Sequence, residues 1–283
     1  MNKLTDCYSL SNGVKIPCVG FGTWQTPDGD VAYESVLTAV KAGYRHIDTA
    51  AAYGNEESVG KAIRDCGVKR EELFVTSKLR NTRRGYEDTL KAFEETRTKL
   101  GLEYLDLYLV HWPVPFHFRD NWEELNRESW KAMEELYEAG KIRAIGISNF
   151  LPHHIDSLMK TAKVTPHVNQ IKLCPGCTQD EVVSYCKERN ILLEAYSPLG
   201  NGKIFEVEEM KAFSEKYHKT VAQICLRWCL QQDFLPLPKS VTASRIQENT
   251  AIFDFTLSDE DVAKIAALTD CCGPKPDPDN IKF

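Results

Sequence analysis

Eight short apolar runs, each followed by helical periodicity, constrain this chain more than any other feature of its sequence. They are Val19–Thr23, His46–Ala50, Leu73–Lys78, Leu105–Trp112, Ile142–Asn149, His167–Lys172, Ile191–Ser197 and Phe234–Lys239. Their nearly continuous apolar character suits strands covered on both faces, which in an alternating β/α chain means a parallel sheet. Between them, Ala32, Val36, Ala39 and Val40 recur at helical spacing before Gly43. Trp130, Met133, Leu136 and Tyr137 do the same before Gly140. Eight such units in 283 residues fit one α/β domain spanning the whole chain, a closed (β/α)8 TIM barrel. A hairpin around Ser11-Asn12-Gly13 should cap it, Asn-Gly being a turn signal. The proline-rich tail beyond Cys272 should form an irregular surface loop.

Composition matters mainly through what it excludes. A formal charge of -6 and a pI of about 5.7, with no basic run, argue against nucleic acid or an anionic membrane as partner. Any anionic ligand must then be held by a few local cations. The N-terminus lacks the ~7–15-residue apolar stretch of a secretory signal, and no window approaches ~18 apolar residues, so a cytoplasmic protein is expected. The ten cysteines are scattered rather than framed for disulfides and read as reduced thiols. Cys174-Pro-Gly-Cys177 has the spacing of a redox pair or half a zinc site, but it opens no thioredoxin-like helix and has no second pair at zinc spacing, which favours ordinary turn cysteines and no metal. Gly20-Phe-Gly22 resembles the start of a dinucleotide fingerprint, but Gln25 stands where the third glycine would be. A tight turn is the better reading.

Catalytic groups of a barrel come from the C-terminal ends of different strands. Asp48 and Tyr53 follow the second run, Lys78 ends the third and His111 lies near the end of the fourth. Adjacent strands lie about 4.8 Å apart, so these four side chains can share one pocket. Together they make a coherent acid. A phenol near its ordinary pKa of about 10 donates poorly at neutral pH, and a neighbouring ammonium should lower that pKa. Lys78 supplies the ammonium, and Asp48 the carboxylate that makes burying it tolerable. His111 can orient a carbonyl or share the proton.

The segments Gly20-Phe-Gly-Thr-Trp24, Gly43-Tyr-Arg-His-Ile-Asp48-Thr-Ala, Tyr53-Gly-Asn-Glu56, Val75-Thr-Ser-Lys78, Leu109-Val-His111-Trp-Pro113, Gly146-Ile-Ser-Asn149-Phe, Ala195-Tyr-Ser-Pro-Leu-Gly200 and Pro238-Lys-Ser-Val-Thr242 resemble, in order, the motifs of the aldo-keto reductase family, in particular its short prokaryotic-type members. The resemblance implies an NADPH-dependent oxidoreductase reducing aldehydes or ketones, with Tyr53 as general acid, Asp48 and Lys78 as its support and His111 aligning the carbonyl. It implies that Ser148, Asn149 and Gln170 bind the nicotinamide carboxamide, that Tyr196 stacks on the ring, and that Ser197, Pro198 and Leu199 line the pyrophosphate, with Gly22 and Thr23 close by. Lys239, Ser240, Val241, Thr242 and Arg245 match the stretch that grips the 2'-phosphate, and Glu248 with Asn249 the adenine. Two cations beside hydroxyls ahead of a helix favour NADPH over NADH on physical grounds as well.

Trp24, Trp112 and Phe116 are candidates for the wall of a small-molecule carbonyl pocket. The family's usual state, a monomer, is the expectation here. The chain departs from the family pattern at Lys172 and Cys174, where relatives carry glutamate and histidine, which leaves the packing beside the cofactor open. It departs again at Arg80, in place of a common tryptophan, which makes the substrate rim more polar. Two other activities stay open: a barrel lyase using Lys78 as a Schiff base, and a non-catalytic nucleotide-sensing barrel.

Overall fold

The computed structural model describes residues 1–269 and 271–283. An antiparallel hairpin of β1 (Cys7–Ser9) and β2 (Lys15–Pro17) precedes eight parallel strands. These are β3 (Gly20–Gly22), β4 (His46–Asp48), β5 (Phe74–Leu79), β6 (Leu105–Val110), β7 (Ile142–Ser148), β8 (Val168–Lys172), β9 (Leu192–Tyr196) and β10 (Leu235–Leu237). They neighbour one another in chain order, and the Gly22 amide donates to Pro238 O at 3.0 Å where β3 meets β10, curling the sheet into a barrel. Each strand lies inside one expected run, except that β5 continues one residue past its run to Leu79. The residues left over at the C-terminal ends, such as Thr49, His111, Asn149 and Lys239, form the loops of one rim.

The helices are α1 (Asp30–Lys41), α2 (Glu56–Asp65), α3 (Tyr86–Leu100), α4 (Trp122–Glu138), α5 (Pro152–Met159), α6 (Asp180–Glu188), α7 (Glu208–Tyr217), α8 (Val221–Gln231), α9 (Ala243–Glu248) and α10 (Asp259–Ala266). In α1 the expected stripe of Ala32, Val36, Ala39 and Val40 is buried. In α4 Trp130, Met133 and Leu136 are buried and Tyr137 partly so. Helix α8 starts at a capping box in which Thr220 and Gln223 satisfy each other's backbone donors.

Strand alternation divides the core in two. Leu107 and Leu109 join Ile16, Phe74, Ala144, Val168, Leu235 and Leu237 in one cluster, whereas Tyr108 and Val110 pack with the helices in the other. Each buried leucine contributes about 1.5–3 kcal/mol. Ile16 and Leu10 of the hairpin region belong to the inner cluster, so the hairpin plugs the barrel at its N-terminal end. The opposite rim is formed by the loops that follow the strands.

One expectation is corrected. Gly20-Phe-Gly22 is not a tight turn but strand β3 itself. A Cβ on Gly20 would lie 2.5 Å from Leu237 Cδ2 and 2.6 Å from His46 Nδ1, so glycine serves close approach at the barrel seam. The tail beyond Cys272 is an irregular surface segment, as expected, and it is held by specific contacts. Lys172 Nζ donates to Cys272 O (2.8 Å) and Pro274 O (3.0 Å), Arg119 to Ile281 O (2.8 Å), and the Phe116 amide to Phe283 O (3.3 Å). The departure at Lys172 thus has a structural role as an anchor for the tail.

Asp279 completes the docking by accepting from His153 (3.0 Å) and His154 (2.8 Å). These three residues are spaced as metal ligands would be. However, the Leu151 amide donates to His154 Nδ1 at 3.0 Å, which fixes the proton of the neutral ring on Nε2 and leaves no lone pair there for a metal. No helix among the described residues is long and apolar enough to cross a membrane.

Candidate active site

Strand ends bring the four expected residues together. Lys78 points into the barrel from β5, fully buried, and its ammonium donates to Asp48 Oδ1 at 2.7 Å, Thr49 O at 2.9 Å and Tyr53 Oη at 3.2 Å. All three of its donors are used. Tyr53 is brought in by a single 3₁₀ turn, Ala51–Tyr53, which ends at Gly54 in the left-handed conformation (φ 71°). Asn55 braces this segment: its amide donates to Thr23 O and Thr26 O while Thr49 donates to its oxygen. The His111 ring meets that of Tyr53 edge to face, with centroids 5.9 Å apart.

The electrostatics differ from the expectation in one respect. Burial raises the Tyr53 pKa, and Asp48 adds to the rise. Lys78 pulls the other way, so the net direction is upward rather than downward. Lys78 therefore limits a rise instead of producing a drop. Burial also works to strip the Lys78 proton, but Asp48 and Tyr53 more than offset it and the lysine stays charged. Burial, Lys78 and Arg84 together hold His111 well below its ordinary pKa, so it is a neutral imidazole at pH 7.

Beside these groups lie Glu194 and His46, which the sequence reading did not name as site residues. Gln170 Nε2 donates both to Asp48 Oδ2 (2.9 Å) and to Glu194 Oε2 (2.7 Å). Burial and the nearby Asp48 keep Glu194 well above the usual carboxylate range, and burial drops His46 to about 3. The 3.9 Å approach of His46 to Glu194 is thus a contact of neutral groups, not an ion pair. Arg84 was missed as well. It is 5% exposed and donates to the Trp112 carbonyl at 2.7 Å and to Arg80 O at 3.0 Å, tying the loops after β5 and β6 together. No local pattern marks Glu194 or Arg84, because their importance comes from what the closed barrel places around them.

The remaining candidates line the same rim. Ser148 donates to Gln170 O (2.8 Å), Asn149 to His111 O (3.1 Å), and Tyr196 Oη to Asn149 Oδ1 (2.8 Å). Asn149 and Ser197 adopt left-handed backbone conformations, φ 63° and 48°, conformations that cluster where a ligand must be held. Thr23 is buried and donates to Asp48 O (3.0 Å), and Gly22 ends β3 beside it. Pro198 is buried and Leu199 half-buried.

Lys239 contacts only Gln25 O (3.2 Å), and neither it nor the exposed Arg245 forms an ion pair among the described residues. Ser240, the exposed Val241 and Thr242 lie between them, and α9 after them spans only Ala243–Glu248, so the two cations rather than a helix end define the place for an anion. Glu248 accepts from Thr220 (2.8 Å), and Asn249 is buried at the end of α9. Trp24 and Phe116 stand 47% and 50% exposed. Trp112 is half-buried against Phe283, with ring centroids 5.4 Å apart. The sequence reading did not name Phe283.

Known proteins match this architecture along nearly its whole length. The family model described as "Aldo/keto reductase family" matches residues 18–270. A glyoxal reductase of Bacillus subtilis is 49% identical over 280 residues, 99% of each chain. An aldo-keto reductase from a Medee basin deep-sea metagenome superposes with a TM-score of 0.91 at 42% identity, covering 98% of this chain and 100% of that one. A Bombyx mori aldo-keto reductase in complex with NADP does so with 0.83 at 36% identity, covering 93% and 92%.

Proposed function

The chain belongs to the aldo/keto reductase family, and from that premise we propose that it reduces small aldehydes or ketones to alcohols with NADPH, using Tyr53 as the proton donor. The observation that carries the reading is the contact of Tyr53 Oη with a lysine ammonium itself held by Asp48, at 3.2 and 2.7 Å. A carbonyl oxygen at the rim accepts the Tyr53 proton as it gains charge. Lys78 lies where it can steady the phenolate that remains, and Asp48 keeps Lys78 in place. His111, neutral, contributes a second hydrogen bond to the same oxygen without competing for the proton. The reduced nicotinamide supplies the hydride when it is bound.

Lys239 and Arg245 suit the 2'-phosphate of that cofactor because they are cations with no carboxylate of their own. Ser148, Asn149 and Gln170 offer the polar groups for the carboxamide, and Tyr196 an aromatic face for the ring. The name of the Bacillus subtilis relative makes glyoxal the first substrate to try. A Schiff-base lyase is disfavoured, since the Lys78 nitrogen is charged and spends all its donors on fixed partners, leaving no free amine to attack a carbonyl.

The test is the fall in NADPH absorbance with glyoxal, other aldehydes and ketones. Steady turnover that Tyr53→Phe abolishes supports the reading. The absence of turnover on any carbonyl, with NADPH still bound, would favour a nucleotide sensor instead.

A further inference from the structure

Downstream of β8 the chain makes a two-residue turn, Cys174-Pro175-Gly176-Cys177. The Cys177 amide donates to Cys174 O (2.9 Å) and the Cys174 amide to Cys177 O (3.3 Å), an isolated antiparallel bridge. Gly176, at φ +78°, supplies the positive angle that the third residue of a type II turn requires. Residues that exchange both hydrogen bonds sit with their Cα atoms about 5.5 Å apart and their side chains on one face. That separation is central in the range a disulfide spans, about 4.4–6.8 Å.

A third thiol joins from far along the chain: Cys272 packs against Cys174 and Cys177 in a small buried cluster set apart from the main core. Cys271 donates to Pro175 O (3.3 Å) and backs the turn. The site begins two residues beyond Lys172, which pairs in register with Tyr196.

We propose that Cys174 and Cys177 form a reversible dithiol–disulfide site oxidised by hydroperoxides, with Cys177 as the attacking sulfur and Cys174 as the resolving one. The two positions differ as those roles need. Cys177 is 7% exposed and Cys174 is fully buried. The Cys174 thiol, donating toward the Cys177 sulfur, favours the Cys177 thiolate, and the ammonium groups of Lys172 and Lys275 add to this, so Cys177 is pulled down while Cys174 is pushed up. As a thiol, Cys177 donates to Lys172 O at 3.7 Å, a long contact that is given up on ionisation. In contrast, burial pushes up the thiols of Cys18, Cys186, Cys225 and Cys229 and makes them poor nucleophiles.

The chemistry balances in two steps. The Cys177 thiolate attacks one oxygen of the hydroperoxide and the O–O bond breaks. Cys177 becomes a sulfenic acid, and the alkoxide or hydroxide leaving group takes up the thiol's proton. The Cys174 sulfur then attacks the Cys177 sulfur, the S–S bond forms, and the expelled hydroxide leaves as water with the Cys174 proton. Two thiols lose two electrons, and the peroxide is reduced to alcohol or water. A dithiol reductant reverses the change.

The test uses the full chain, reduced and without cofactor, exposed to a small molar excess of hydrogen peroxide, so its outcome does not depend on reductase activity. Titratable thiols should fall by two from ten, the intact mass should drop by two hydrogens, and peptide mapping should join Cys174 to Cys177, all restored by dithiothreitol. Cys177→Ser should slow thiol loss by about tenfold or more. Cys174→Ser should stop at a sulfenic acid on Cys177 that dimedone captures, and Cys272→Ser should leave the disulfide yield unchanged. A Cys177–Cys272 link in the wild-type protein, a disulfide elsewhere, or oxygen added to single cysteines with no disulfide would overturn the proposal.

Discussion

Replacing Lys78 with methionine tests the electrostatics of the acid most directly. The substitution roughly preserves chain length while removing the ammonium 3.2 Å from Tyr53 Oη and 2.7 Å from Asp48 Oδ1. A hydrogen bond to a charged group is worth about 1.5–3 kcal/mol, so losing it from the phenolate should raise the Tyr53 pKa by roughly 1–2 units above its already elevated value. Asp48 would be left buried with only Gln170 as side-chain partner, and breaking a buried pair costs about 3–5 kcal/mol, enough to threaten folding. The double variant Lys78→Met/Asp48→Asn removes both charges and should recover much of that stability without recovering activity.

The assay is kcat/KM against pH for carbonyl reduction and alcohol oxidation in wild type and both variants, with folding checked by circular dichroism. Reduction at pH 7 should fall by about 10² or more, the scale of a lost general acid. Oxidation uses the same tyrosine as a base, so the pH at which it switches on should move upward. An oxidation profile that stays in place in a folded variant would refute the claim that Lys78 stabilises the Tyr53 phenolate.

Tyr53→Phe should lower reduction by about 10² or more and leave NADPH affinity nearly intact, as read by turnover and fluorescence titration. Arg245→Ala should weaken NADPH by roughly tenfold or more and NADH hardly at all, since only NADPH loses a charge-assisted contact to its extra phosphate; equal losses would contradict the assignment. Burial lowers His46 to about 3 and His154 to about 4. Between pH 6.5 and about 4 the unfolded chain therefore binds protons that the folded chain refuses, and stability should drop on acidification. The drop should be shallower in His154→Gln, and thermal melts with the same pH slope in both proteins would show that His154 is not involved. Glu194 has the opposite sign. Its folded pKa is raised, so its contribution is present at low pH and is lost as pH climbs above the ordinary glutamate range. Glu194→Gln should hold its melting temperature better than wild type on the alkaline side.

Strand order and the placement of the rim residues were legible because they are written locally. A buried parallel strand needs a short apolar run and its helix one stripe, so eight runs predict eight strands, and Asp48, Lys78 and His111 declare themselves by standing at their ends. What required the fold was everything that joins distant parts of the chain. Gly20 looked like half of a turn motif, but the seam with Leu237 and His46 is what excludes a side chain there. Phe283 reaches Trp112, and Cys272 reaches Cys174, across intervals no periodicity spans.

The direction of the Tyr53 shift needed the structure too. The sequence identifies Lys78 as the neighbour that lowers it, but desolvation is a sum over every group that excludes water, and that sum, larger than one charge, exists only once the barrel has closed.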